Sequence, residues 1–329
     1  MQHEEIATFP KWFLHLEIVS IVVLFIFSIL SFLVYFVEIQ IIFSFRKTTF
    51  RGPFYRLMFV GIIVDMLSAI NIFTGQIIPA RRYFEGFLLA QEDWLGSVFF
   101  FVTYGGRCVQ GATATILSFC RVSAVCAPVL YRKLGQPTYL WVMQFFQLSG
   151  LLVAGYLLIP RRYIYIFQDD GWYSVDDQED NLWFYDFAAL LELFFVFSIV
   201  MNNLLTYCMF RNKFKKKTVG AGAGAGAVTG AGAGAGAQNK YSIEKQKRES
   251  SLDKMTFIVC LVELIYFAFV VYSLQINQEM NKRVFYFLYN ILCVVYSTFS
   301  AWMLLCVSKP ITMQFRQRFT KFRVLRSSR

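Results

Sequence analysis

The sequence predicts an all-α integral membrane protein, a bundle of seven transmembrane helices, and three observations carry that expectation. Of the 329 residues, 57% are apolar and 19% aromatic but only 16% charged, with a mean hydropathy of +0.50. That is more apolar material than one soluble core of this length uses. The apolar residues fall into seven runs, each long enough for the roughly 20 residues that cross a bilayer. The charged residues sit in short blocks between the runs. A net charge of +11 would suggest a nucleic-acid partner if it covered a polar surface. Confined to loops, it points to the lipid bilayer and not to nucleic acid, and a soluble enzyme is disfavoured.

The expected spans are 18–43, 55–78, 94–120, 139–159, 182–210, 255–276 and 284–307, with residues 1–17 as an extracellular N-terminus and 309–329 as a basic cytoplasmic tail. Lys and Arg counted in the loops set the orientation. One side collects 24 of the 32 cations and the other seven, Arg107 standing inside a span. The richer side is expected to be cytoplasmic, so the C-terminus lies inside. Asp169, Asp170, Asp176, Asp177, Glu179 and Asp180 crowd the fourth loop, on the opposite face. Glu4 and Glu5 precede the first span where a signal peptide would carry basic residues, so that span is expected to be a retained insertion signal. A multi-pass plasma-membrane protein follows.

Several chemistries have no apparatus here. The seven cysteines (Cys108, Cys120, Cys126, Cys208, Cys260, Cys293, Cys306) lie in or beside spans, so no extracellular disulfide framework is expected. The two histidines, His3 and His15, stand at the N-terminal end, which removes histidine-clustered metal sites. There is no phosphate-binding G-x-x-x-x-G-K-[ST] loop and no G-x-S-x-G nucleophile elbow. No catalysis, metal or cofactor is expected.

The third run closes on Cys120-Arg121-Val122-Ser123-Ala124-Val125-Cys126-Ala127-Pro128-Val129-Leu130-Tyr131. The Arg ends a long helix at the expected cytoplasmic boundary and the Pro turns the chain back along the membrane. An Arg snorkelling at a helix end is the plain alternative. The segment resembles the D-R-Y-x-A-V-x-x-P-x-x-Y ending of the third helix in rhodopsin-like G-protein-coupled receptors. Arg121, Ala124, Val125, Pro128 and Tyr131 match at identical spacing, while Cys120 and Val122 replace the acidic and aromatic residues. Val64-Asp65-Met66-Leu67 similarly resembles the Ala-Asp-Leu-Leu of the second helix, where family members bind sodium and change state. Asp65 lies about 13 Å above Arg56 along a helix. It reads either as a functional intramembrane carboxylate or as a hydrogen-bonded contact between helices.

Other hallmarks are absent: the Gly-Asn pair in the first span, a C-W-x-P in the sixth and an N-P-x-x-Y in the seventh. Gly96 stands 25 residues before Arg121, where the disulfide cysteine of that family would be. This pattern, with Phe50-Arg51-Gly52-Pro53-Phe54-Tyr55-Arg56-Leu57 opening the second span and Ser308-Lys309-Pro310 closing the seventh, resembles the nematode serpentine chemoreceptors of the Srg superfamily, the Srv and Srg classes closest. The resemblance implies a rhodopsin-like GPCR architecture. It also implies a chemosensory receptor of ciliated neurons, located in the sensory cilium, that binds a small-molecule ligand and signals through a heterotrimeric G protein.

Arg107 stands 14 residues before Arg121, about 21 Å up the same helix and on the same face. An unpaired guanidinium at that depth is expensive. Glu192 in the fifth span and Glu263 in the sixth are the candidate partners, with Asp65 a third. Two readings of Arg107 stand open, a structural ion-pair node or part of a polar ligand pocket that an anion would suit. The ligand is expected in the outer half of the bundle, touching Tyr104, Arg107 and Glu192. Thr103 occupies the place of the aspartate of amine receptors, and no lysine in the last span offers a retinal Schiff base.

On the expected cytoplasmic side, a Gly-Ala repeat over 219–237 lies between two basic stretches and reads as a flexible linker. Phe315, Phe319 and Phe322 recur at helical spacing among basic residues after Pro310, a cationic amphipathic helix on the inner leaflet. The rival classes are a transporter or channel, for which no repeated halves are found, an insect-type odorant channel with the N-terminus inside, and a membrane enzyme.

Overall fold

Each apolar run becomes a helix in the computed structural model, which describes residues 10–48, 50, 52–81, 94–158, 163–167, 173–177, 182–223, 257–272, 282–308 and 310–318. In chain order the elements are α1 (Lys11–Ser44), α2 (Pro53–Ile72), α3 (Trp94–Cys126), the short α4 (Pro128–Leu134) and α5 (Pro137–Leu158). A hairpin of β1 (Tyr163–Phe167) and β2 (Tyr173–Asp177) follows. Then come α6 (Leu182–Ala223), α7 (Phe257–Tyr272), α8 (Lys282–Val307) and α9 (310–318). Six of the helices are long and apolar enough to cross a membrane, and the described part of α7 is apolar but shorter. The chain therefore runs back and forth between a hairpin end and a tail end.

The helices hide polar side chains and show apolar ones. On α1 the buried stripe includes Glu17, Ser28, Ser31, Tyr35 and Glu38, while Val22, Val23, Phe25, Ile26 and Leu33 are exposed. That arrangement inverts a soluble helix and suits a hydrocarbon surround, where each inward polar group needs a protein partner. Ser31 receives the indole N–H of Trp302 at 2.9 Å and so joins α1 to α8.

Sequence sets the breaks. Pro53 opens α2 at its first turn behind an extended Gly52. Past Ile72 the helix widens into a π turn at Phe73–Ile77 and ends in the 3-10 turn Pro79–Arg81. Pro128 likewise opens α4, with only Ala127 between it and the end of α3.

α3 is the hub, packing against α2, α5 and α6. Its glycines make the close approaches possible, as small residues do where helices pack without a hydrophobic drive. A Cβ on Gly111 would enter the Phe195 ring of α6, and one on Gly150 of α5 would collide with Cβ of Cys108.

The sequence reading placed no strand in the loop between the fourth and fifth runs, yet β1 and β2 pair antiparallel there, Tyr165 opposite Val175. The signal was the Tyr-Ile-Tyr-Ile-Phe alternation of aromatic and β-branched residues. Tyr163 is buried and stacks on Phe100 of α3, ring centroids 4.2 Å apart. Gly96, at the position where the resemblance would put a disulfide cysteine, sits so close to β1 that an added Cβ would lie 2.7 Å from the Tyr163 carbonyl oxygen. The hairpin is thus seated by bare backbone; all seven cysteines are free. The Tyr165 hydroxyl donates to the Gly75 carbonyl oxygen at 3.0 Å, and burial pushes its pKa up, so the phenol keeps its proton to donate.

α6 continues through Ala223, so the first five residues of the expected Gly-Ala linker are helical. Helix propagation is inexpensive once nucleated and alanine favours it. The rest of the repeat lies outside the described residues, as do Phe319 and Phe322. α9 packs inward through Ile311, which is fully buried, and Phe315. Arg318 donates to Gln40 Oε1 at 2.9 Å and Ser44 Oγ at 3.3 Å, holding α9 against the end of α1.

Because Gly150 packs directly against Cβ of Cys108, Gly150→Ala is expected to destabilise the receptor by about 1–3 kcal/mol, the usual cost of overpacking. Thermal unfolding of the purified protein measures it. Cys108→Gly in the same chain should recover part of the loss, and a Gly150→Ala protein that melts like the wild type would disprove the close packing.

Candidate functional site

Arg107 lies midway along α3 with its side chain only 12% exposed. Its Nε donates to Glu192 Oε2 of α6 at 3.2 Å, and its Nη2 donates to both Glu192 Oε1 and Glu263 Oε2 of α7, the latter at 2.5 Å. The guanidinium carbon stands 4.1 Å from the ring centre of Tyr266 and 4.2 Å from that of Tyr296. Tyr296, on α8, donates its hydroxyl proton to Glu263 Oε1. One cation therefore joins α3, α6, α7 and α8 through two carboxylates and two aromatic faces. Planar, multidentate donors suit Arg to this place where Lys would leave partners unmet.

Of the partners expected for Arg107, Glu192 and Glu263 are both used and Asp65 is not. Asp65 Oδ1 accepts from Gln110 Nε2 at 2.8 Å, and Oδ2 accepts from the hydroxyls of Tyr35, at 3.1 Å, and Ser300. Tyr35 Oη also lies 2.8 Å from the Ser297 carbonyl oxygen and 2.6 Å from Ser300 Oγ. This second node ties α1, α2, α3 and α8. Gln110 stands one helical turn beyond Arg107, so α3 carries one residue of each node on the same face.

Between the nodes is a small cavity of about 20 Å³, part of it open to the surface, lined by Ser68, Thr103, Arg107, Tyr266, Tyr289 and Tyr296 among others. That is room for about one water, far below the ~300 Å³ of small-molecule sites. Gln110 and Ser297 also line it, so it borders the Asp65 node directly. Of the three residues expected to touch a ligand, Arg107 lines the cavity, and Glu192 pairs with Arg107 without lining it. Tyr104 stacks on Phe100 at 5.9 Å and packs into the apolar cluster at the hairpin end, off the cavity wall.

At the tail end, Arg121 is half-buried in the last turns of α3, Val125 half-buried, and Ala124 and Pro128 exposed. Cys120, standing in for an acidic residue, is buried with Leu57, Ile116, Leu134, Leu140 and Met143. Tyr131 of α4 packs against that cluster, and burial first, then the nearby Cys120 and Tyr55, pushes its phenol above the ordinary value.

The chain matches the model of the Srv serpentine-type 7TM GPCR chemoreceptors over residues 24–321. It belongs to the Srv family. The match takes in α1 from Leu24 on, the six other apolar helices, both polar nodes and the Arg121 segment, and it makes the protein a multi-pass membrane receptor of the chemoreceptor GPCR class. No curated protein matches the chain.

Some residues of this Srv receptor's polar core escaped the sequence reading. Tyr35, Ser300, Tyr266 and Tyr296 are ordinary members of apolar runs until tertiary contact pairs them, though the one-turn offset of Gln110 from Arg107 was available. A third charged contact was also missed: Arg283 of α8, counted as a loop cation, is buried and donates to Glu17 Oε2 of α1 from Nη2 at 2.9 Å and Nε at 3.2 Å. Elsewhere on α1, Glu38 is fully buried and neither carboxylate oxygen has a hydrogen-bond partner among the described residues.

Removing only the cation leaves two buried carboxylates facing each other, so Arg107→Met is expected to destabilise by about 3–5 kcal/mol. Arg107→Met with Glu192→Gln and Glu263→Gln should regain most of the loss, read as melting temperature and surface yield. Equal stability of the single and triple variants would mean that the cluster carries no such coupling.

Proposed function

We propose that this Srv receptor binds a small molecule beside Arg107, widening the small cavity there, and, on binding, activates a heterotrimeric G protein at the face that carries Arg121. The observation that carries the reading is that one wall residue, Arg107, also holds α7 to α3. A ligand that competes for the guanidinium or spreads Tyr266 from Tyr296 alters a restraint on α7 directly. Mechanism is then population shift: the ligand favours the arrangement in which α7 swings away from α3 at the tail end and a G-protein segment enters beside Arg121, Ala124, Val125, Pro128 and Tyr131. Gln110 and Ser297 border both the cavity and the Asp65 node, so the same event bears on α1, α2 and α8. No reaction is catalysed in this reading.

The charge count along the loops supports a plasma-membrane orientation with the hairpin end outside and α9 in the cytoplasm. Family membership supports the chemosensory role and, with it, location in a sensory cilium; it weighs against a transporter or channel.

Two measurements test this. Arg121→Ala should cut ligand-driven nucleotide exchange on the G protein by at least about tenfold, the worth of a charge-assisted contact, with ligand affinity unchanged. Unchanged exchange would remove Arg121 from the coupling face. An N-terminal epitope tag should bind antibody on intact cells, and protection of that tag until permeabilisation would reverse the topology.

A further inference from the structure

Among the described residues five acids are buried, and four of them are answered. Glu17 accepts from Arg283, Asp65 from three neutral donors, and Glu192 and Glu263 from Arg107. Glu38 is the exception. It is 0% exposed on α1, and neither of its carboxylate oxygens has a hydrogen-bond partner.

Its position on α1 explains the isolation. α1 and α8 run side by side in the same direction, Glu17 meeting Arg283 near their first turns and Tyr35 meeting Ser297 and Ser300 further on. Glu38 is the next turn after Tyr35 on the same face, level with the turn of α8 that carries Leu304. Tyr35, Ile41 and Ile42, a turn to either side of Glu38, share one buried apolar cluster with Ile62 of α2, Leu304 of α8 and Ile311 of α9. The carboxyl therefore lies on the seam that joins α1 to α8 and α9.

Few titratable or charged groups face that seam. On α1 the nearest is Tyr35, whose hydroxyl is committed to the Asp65 node. From α2 come Asp65 itself, behind that tyrosine, and Tyr55 at the margin of the cluster. The residues that α8 gives to the cluster carry no titratable group. α9 brings Arg316, exposed, and Arg318, whose Nη1 and Nη2 donate to Gln40 and Ser44 on α1. An ionised Glu38 would be uncompensated among these neighbours, so the neutral acid is the form that fits the closed seam. Even the neutral acid leaves a donor and an acceptor unmet, a cost that opening to water removes.

We infer that Glu38 is a proton-linked latch on this seam: it holds a proton while α1 is packed on α8 and α9, and it releases that proton when the seam opens at the tail end. On opening, the carboxyl O–H bond breaks, the proton passes to bulk water, and water hydrates the carboxylate. The closed form binds one proton more than the open form, so rising pH favours opening. For one proton the shift is at most about tenfold per pH unit, beginning above the ordinary glutamate value of about 4.3. Tyr35 connects the seam to Asp65, so the latch bears on that node. It does not depend on a ligand beside Arg107.

The test uses the full chain in lipid nanodiscs without ligand, as wild type, Glu38→Gln and Glu38→Leu. Infrared difference spectra at pH 7 should show a protonated-carboxyl C=O band in the wild type that both variants lack. Amide hydrogen exchange over residues 36–44 is then followed against pH. Taking the ratio of wild type to Glu38→Gln cancels the intrinsic pH dependence of exchange. That ratio should rise with pH by up to about tenfold per unit. Glu38→Leu, which leaves nothing polar in the cluster, should melt at a higher temperature than the wild type. A spectrum with no Glu38-dependent band, a ratio that is flat with pH, or a Glu38→Leu protein that melts below the wild type would each overturn the inference. Because no ligand or G protein is present, failure of the signalling reading leaves these outcomes unchanged.

Discussion

Arg107 has nowhere to go but inward. A guanidinium at that depth of an apolar bundle has no water to solvate it, so the fold must bring it anions and polarisable faces. Glu192, Glu263, Tyr266 and Tyr296 come from three other helices to meet this need. Once they do, the relative positions of α3, α6, α7 and α8 are set by the geometry of one side chain. In a bundle whose outer surface is as apolar as the lipid around it, burial of apolar area adds little drive for helix association, and such polar clusters with close small-residue contacts carry the specificity.

The second node obeys the same constraint with different chemistry. Asp65 receives three neutral donors and no cation, and those donors come from α1, α3 and α8. The two nodes share α3 and α8, with the cavity where they meet. A site placed there touches the groups that determine which helices stay together. In the function proposed above, that is how a small ligand, contributing only a few contacts, would bias the arrangement of the whole bundle.

Legibility in the sequence followed the range of the physics. Apolar runs bounded by Pro53, Pro128, Pro137 and Pro310 mark helices because proline acts locally on the backbone. Arg107 was conspicuous because a charge inside an apolar run must find a partner, and the short list of acids in other runs contained both of them. Tyr35 and Tyr296 were not legible, because a tyrosine in an apolar run is satisfied by lipid-facing, interfacial or core positions alike. Arg283 misled for the opposite reason: charge counts treat a loop-end arginine as solvated, and only its approach to Glu17 shows that it is buried. The hairpin escaped notice because its few alternating residues sit among acidic ones, and its seat on Gly96 depends on a distant stretch of backbone.

By itself the sequence determined the seven apolar helices, their breaks, the charge asymmetry between the two ends and the presence of a buried cation in the third span, since each follows from local composition and from the cost of placing charge in hydrocarbon. Only the tertiary structure decided that Arg107 takes both glutamates, that Asp65 belongs to a separate node, and that Tyr104 stands aside. Those outcomes turn on which faces of different helices meet, and helices several spans apart are brought together by packing that no single stretch of chain encodes.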